Sequence, residues 1–174
     1  MTVLIGRARL AAALLAVATL AGLLPALVLN HHQAPVLAGS HASGLTDAAG
    51  YFTTNASTAA VILIVAAALS AMRPSSRWAL MLRAIADVAL AIALAVAFVQ
   101  IGVYLGSYQL QALRWLPHLP FEAGAVAMAL GAYLEARSAR RLTGGMLAGT
   151  VIVVVVLLTT AALLEAFATP GGRA

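Results

Sequence analysis

Residues 146–168 read MLAGTVIVVVVLLTTAALLEAFA, with Glu165 the single charge. At 1.5 Å per residue such a run extends about 34 Å as a helix, and about 20 apolar residues suffice to cross a hydrocarbon core. This stretch therefore reads as a transmembrane helix. Four more runs precede it: Phe121 to Leu134, extendable back to Leu116, then Ala84 to about Leu105, Ala56 to Met72, and Leu10 to Leu29. The expectation is an all-α integral membrane helical bundle of about five transmembrane helices, forming a single transmembrane domain over 1–174. Its spans lie near 10–29, 56–72, 84–105, 118–135 and 146–168, with one long outer loop over 30–54. The fourth run is short, which suits a helix with little tilt or one shielded by its neighbours.

Composition agrees. The chain is 63% hydrophobic and 9% charged, against about a quarter charged for a soluble domain. The lipid bilayer is thus its first partner. The net charge of +5 comes from ten cations, all Arg. They sit in short clusters between apolar runs, not in a basic stripe with polar and aromatic neighbours, so no nucleic-acid partner is expected. Arg7, Arg9, Arg73, Arg77, Arg83, Arg137, Arg140 and Arg141 share one face if five spans alternate, and only Arg114 and Arg173 take the other. By the positive-inside bias the N-terminus is cytoplasmic, the C-terminus is outside, and the chain is a multi-pass protein of the cytoplasmic (inner) membrane. The first run follows Arg7 and Arg9 as a signal peptide would, but its length favours a retained span. There are no cysteines, which removes disulfides, thiolate nucleophiles and Cys-based metal sites.

This topology sorts the polar residues. His31, His32, His41, Asp47, Asn55, His118, Glu122 and Glu165 fall toward the outer face, and Asp87 and Glu135 toward the inner one. Arg83 and Asp87 are spaced to pair on one helical face. Glu135 with Arg137 to Arg141 reads as an interfacial charge cluster. Gln100 lies well inside the third span, where an amide usually joins helices. Small residues mark helix contacts in lipid. Ala123, Ala127 and Gly131, with Gly124 beside them, and Gly145-x-x-x-Gly149 followed by Thr150 suggest that the last two spans pack together. Either stripe serves equally well against another subunit, including a further copy of this chain.

The residues that carry most information about function are Pro117-His118-Leu119-Pro120-Phe121-Glu122. Pro120 suits the first turn of a helix, where its missing N–H costs nothing, and Glu122 then lies at the favourable end of the helix dipole. Glu165 approaches the same face from the fifth span. Asn55 stands where the second span opens, as an N-cap would. His118, Glu122 and Glu165 are an adequate metal set by ligand type. A binding or relay role competes with plain interhelical hydrogen bonding. The loop histidines His31, His32 and His41 read as solvated, and Asn55-Ala56-Ser57 is a glycosylation triplet poorly placed for use. No nucleophile with a base and an orienting group stands at recognisable spacing. Without Lys there is no phosphate-binding P-loop, so an ATPase would have to be a separate chain.

At these residues the chain resembles the stage II sporulation protein M family of bacterial and archaeal membrane proteins. The likeness rests on Pro117, His118, Phe121 and Glu122 opening a span. It rests also on Ala162-Leu163-Leu164-Glu165-Ala166-Phe167-Ala168-Thr169-Pro170 closing one, and on the entry from Phe52 to Asn55. It covers roughly residues 50 to 170. Leu119 stands where the family usually has Gly, and Pro120 is an addition. The resemblance implies a non-enzymatic polytopic membrane protein. In spore formers such a protein belongs to an envelope complex that recruits peptidoglycan-remodelling proteins, and related membrane proteins are associated with bacteriocin export and immunity.

The function expected is therefore a membrane scaffold or partner-binding subunit, with other membrane or envelope proteins as partners and no cofactor called for. The alternative is a membrane subunit of a transport or export system with a separate ATPase. A metal-dependent membrane enzyme built on His118, Glu122 and Glu165 ranks below both.

Overall fold

The computed structural model describes residues 2–29, 45–108, 117–138 and 142–167. The loop histidines His31, His32 and His41, together with Arg114, Arg140, Arg141, Ala168, Thr169, Pro170 and Arg173, lie outside the described residues.

Five helices make up the described chain: α1 (Thr2–Leu29), α2 (Leu45–Ala71), α3 (Arg77–Tyr108), α4 (Leu119–Arg137) and α5 (Gly144–Phe167). α1, α2, α3 and α5 are long and apolar enough to cross a bilayer. Their large apolar side chains point outward in number, among them Leu14, Val17 and Leu24 of α1, Ile85, Val88 and Ile92 of α3, and Ile152 and Val156 of α5. Such surfaces are a liability in water and the ordinary exterior of a helix in lipid.

Several boundaries differ from the sequence expectation, each for a local reason. α2 starts at Leu45, inside the stretch expected to be outer loop, and so takes in its last ten residues, 45–54. Its hydroxyls bond to the helix's own carbonyls: Thr53 Oγ1 and Thr54 Oγ1 donate to Gly50 O at 2.9 and 3.0 Å, and Ser57 Oγ to Thr54 O at 2.7 Å. Polar residues satisfied in this way extend a helix beyond its apolar run. Asn55 is consequently interior to α2 and not its N-cap. α1 starts at Thr2 and so carries Arg7 and Arg9 within the helix. α3 starts at Arg77, where Ser76 Oγ accepts from Ala79 N at 3.1 Å. Thr143 does the same for α5, accepting from Met146 N at 3.2 Å. Both are N-caps that hydropathy alone does not register.

α4 is the shortest helix, 19 residues or about 28 Å, and the most enclosed. It packs on α1, α2 and α5. Its small residues allow this: Ala125, Ala129, Ala132 and Ala136 are buried, and the cluster they join contains Ala59, Ile62, Ala66 and Leu69 of α2 and Val154 and Leu158 of α5. α4 and α5 pack together as expected, Gly124 facing Leu157, but the stripe Ala123, Ala127, Gly131 turns elsewhere. Ala127 packs in a cluster with Ala11, Leu15, Leu94 and Phe98 of α1 and α3, and a Cβ on Gly131 would lie 3.1 Å from Leu4 O and 3.0 Å from Ala8 N. Gly145 of the second expected stripe meets nothing within 4 Å.

The tightest approach is between α1 and α3. A Cβ on Gly102 would collide with Thr19 O and come within 2.8 Å of Leu23 N, and one on Gly106 would lie 2.5 Å from Ala26 Cβ and 2.8 Å from Leu23 O. Gly22 answers from α1, where a Cβ would collide with Val99 O. Backbone is therefore in contact with backbone, as small-xxx-small spacing permits.

These contacts also set direction. Residues 19 to 26 of α1 rise alongside 99 to 106 of α3, so the two are parallel, while Gly131 of α4 meets the start of α1. Asn55, early in α2, meets Glu122, early in α4. The helices thus alternate in direction, and α1 begins at the end of the bundle opposite to that where α5 finishes.

At the end holding the start of α1, two acids tie α4 to its neighbours. Arg7 Nε donates to Glu135 Oε2 at 2.6 Å, and Glu135 is only 4% exposed. Arg7 is not among the partners expected for Glu135, which are Arg137 to Arg141 in an interfacial cluster; Arg140 and Arg141 lie outside the described residues. Asp87 does not take Arg83 as its hydrogen-bond partner. Arg137 grips it with Nε at 2.7 and 2.9 Å and Nη2 at 2.8 Å, and Tyr133 Oη donates to it at 2.6 Å. A planar guanidinium fits a carboxylate by this fork, which an i,i+4 neighbour on the same helix cannot match. Arg83 instead holds Nε and Nη2 in buried positions with no hydrogen bond among the described residues. Removing only the Tyr133 hydroxyl, as Tyr133→Phe, is expected to lower bundle stability by about 1 kcal/mol, the worth of one such bond. Denaturant-titrated unfolding in mixed micelles measures this.

Candidate functional site

The second polar layer lies at the other end of α4. Glu122 and Glu135 are thirteen positions apart on α4, about 20 Å along its axis, so each end of the central helix carries its own acid.

Pro117 and His118 form the turn that opens α4, and Pro120 falls in its first turn. Phe121 N and Glu122 N donate to His118 O at 3.0 and 3.2 Å. His118 occupies the N-cap position with helical backbone angles (φ −78°, ψ −26°), but its side chain caps nothing. The ring is free to turn inward, and it does: His118 is 7% exposed and its Nδ1 is buried with no hydrogen-bond partner among the described residues. His118 and Glu122 are one helical turn apart and so share a face.

Glu165 arrives from the last turn of α5, which runs antiparallel to α4. Ligating atoms of His118, Glu122 and Glu165 all lie within 4.8 Å of one another. Asn55 completes the group from α2, its Nδ2 donating to Glu122 Oε1. The structure therefore brings together His118, Glu122, Glu165 and Asn55 from three helices. Leu119, where the resembled family has Gly, is the first residue of α4 and leaves this geometry intact, because its side chain lines cavities on the α3 side.

Comparison with known protein families, with curated proteins and with solved structures finds no match for this chain. The cluster has to be read from its own chemistry.

A cavity of about 150 Å³ reaches the Asn55–Glu122 pair from the gap between α2 and α3, lined also by Phe98, Ile101 and Leu119. A second, about 390 Å³, shares Ala97, Ile101 and Leu119 with it and extends to Gln100 and Tyr104. Gln100 is exposed on α3 beside this opening and does not join buried helix faces as expected. A third cavity, about 330 Å³, lies between α1, α3 and α4 and runs from Asp87 and Tyr133 to Leu94. Asp87 and Arg83 thus lie toward the opposite end from the His118 cluster, while Gln100 lines the cavity next to it. A sequence signal for the cluster does exist, in the spacing His118-x-x-x-Glu122. Asn55 and Glu165 carry no such spacing signal; alternation of the spans places them at the same face, as expected, and the structure brings them into contact.

Proposed function

We propose that this chain is a non-enzymatic membrane scaffold or partner-binding subunit, of the kind the stage II sporulation protein M family represents. In this reading it resides in the cytoplasmic membrane, meets other membrane or envelope proteins, and takes part in cell-envelope remodelling. One observation carries it: the interior polar side chains hold helices together. Arg7 holds Glu135, Arg137 and Tyr133 hold Asp87, and Asn55 holds Glu122. Thr150, a buried hydroxyl, donates to Met146 O at 2.9 Å and is not set beside a base. Affinity pulldown from native membranes is expected to recover an envelope protein with the intact chain. Purified protein that turned over peptidoglycan, lipid or peptide alone, and lost this with Glu122→Gln, would sink the reading.

Orientation is tested separately. The chain lacks cysteine, so single cysteines report sidedness cleanly. With the arginine-rich face inside, Thr53→Cys reacts with an impermeant thiol reagent in intact cells and Ser75→Cys does not. The opposite pattern reverses the topology.

A second reading, an export subunit served by a separate ATPase, is favoured by the two cavities that meet at Leu94, one ending at Asp87 and the other at Glu122. It requires that an ATPase co-purify and that Asp87→Asn, Gln100→Leu or Glu122→Gln alter flux. Unchanged flux in all three removes it.

A further inference from the structure

The outer cluster contains more than a helix lock needs. The Asn55–Glu122 bond already joins α2 to α4. To this the fold adds a second carboxylate and a buried imidazole whose Nδ1 has no hydrogen-bond partner among the described residues. Buried polar atoms are nearly always satisfied, and an exception calls for an explanation. Two half-buried carboxylates drawn close together also repel unless a proton or a cation lies between them.

We propose that His118, Glu122 and Glu165 bind one divalent metal ion of the zinc class, with Asn55 orienting Glu122. The donor set is one imidazole nitrogen and two carboxylate oxygens, which suits zinc and neighbouring divalent transition ions and lacks the thiolates that would select softer metals. The charges match, because one divalent cation cancels two carboxylates. The ligand atoms lie within 4.8 Å of one another, and bonds of 2.0–2.2 Å place tetrahedral ligands about 3.3 Å apart. Side-chain rotation that draws the ligand atoms together by about 1.5 Å closes the site. Asn55 supplies the outer-shell bond that ligating carboxylates usually have. The cavity between α2 and α3 provides the route in, ending at Glu122. Three protein ligands leave one position for water or for a group brought by a partner. The site stands apart from the scaffold reading, since a metal here can be purely structural.

The test uses the full chain in detergent, stripped with chelator and titrated with Zn²⁺ alone. One equivalent per chain is expected to bind with a rise in unfolding temperature. Co²⁺ in its place is expected to give a visible spectrum of a nitrogen- and oxygen-ligated ion, a readout that needs no variant. His118→Ala and Glu165→Gln are expected to weaken binding roughly 100-fold or more, and Asn55→Ala roughly tenfold, as for an outer-shell partner. Replacing His31, His32 and His41 with Ala is expected to leave binding unchanged. Absence of saturable Zn²⁺ binding by the wild-type chain would overturn the proposal, and so would binding that follows the loop histidines. A Co²⁺ spectrum lacking a nitrogen ligand would overturn it as well.

Discussion

Gly102→Leu is expected to separate α1 from α3 and to destabilise the bundle by about 3 kcal/mol, the upper end of ordinary overpacking. The reason is what stands opposite. A Cβ at 102 meets Thr19 O and Leu23 N, and both are backbone atoms of a regular helix. A crowded side chain can rotate away, but helical backbone moves only by displacing the whole helix. The other extensive contact of α1, with α4 from Leu4 to Leu15, lies on a different side and does not replace it. Gly6→Ala is the control, because a Cβ there meets nothing within 4 Å. It is expected to be neutral or slightly stabilising through helix propensity. Unfolding midpoints in mixed micelles compare the two, and equal midpoints would show that the α1–α3 contact is not close.

Arg7→Met is expected to cost about 3 kcal/mol, near the lower end for breaking a buried ion pair because Arg7 itself is 30% exposed at its side chain. The substitution takes the guanidinium from Glu135, which is 4% exposed and cannot turn to water without leaving the core. Changing both residues to Met is expected to restore most of the loss, since two apolar side chains of similar volume often replace a buried pair at little cost. The full cycle of single and double variants measures the coupling. Additive losses would show that Arg7 and Glu135 do not act as a pair.

The helical membrane class was legible because it depends on local composition. A run such as 146–168 has no stable alternative in water, and lipid requires that its backbone bonds be satisfied within the segment. The small-residue stripes were legible as contacts but not as to partner. Ala123, Ala127 and Gly131 suit α5 or another subunit by spacing alone, and they pack against α1 and α3. The contact between Gly22 and Gly102-x-x-x-Gly106 was missed altogether. The spacing is printed in the chain, but in an Ala- and Gly-rich protein it does not stand out. Ion-pair partners were assigned by proximity in sequence, Arg83 to Asp87 and the 137–141 arginines to Glu135. Proximity does not reveal the partners that reach across helices, Arg137 to Asp87 over 50 residues and Arg7 to Glu135 over 128.

Sequence alone determined an all-α bundle of apolar helices, four of the five long and apolar enough to cross a membrane, that its arginines cluster between the apolar runs, and that His118 and Glu122 share a helical face. Those properties follow from hydropathy, charge and the 3.6-residue turn, each of which acts over a short span of chain. Only the tertiary structure decided that α4, the shortest helix, stands at the centre. Its alanines and glycines admit three neighbours at once, whereas the bulkier helices cannot be surrounded so closely. That central position brings Asn55 and Glu165 to His118 and Glu122. Span alternation puts the four at one face of the membrane, but their contact distances depend on three helices whose packing is settled by backbone contacts elsewhere in the bundle.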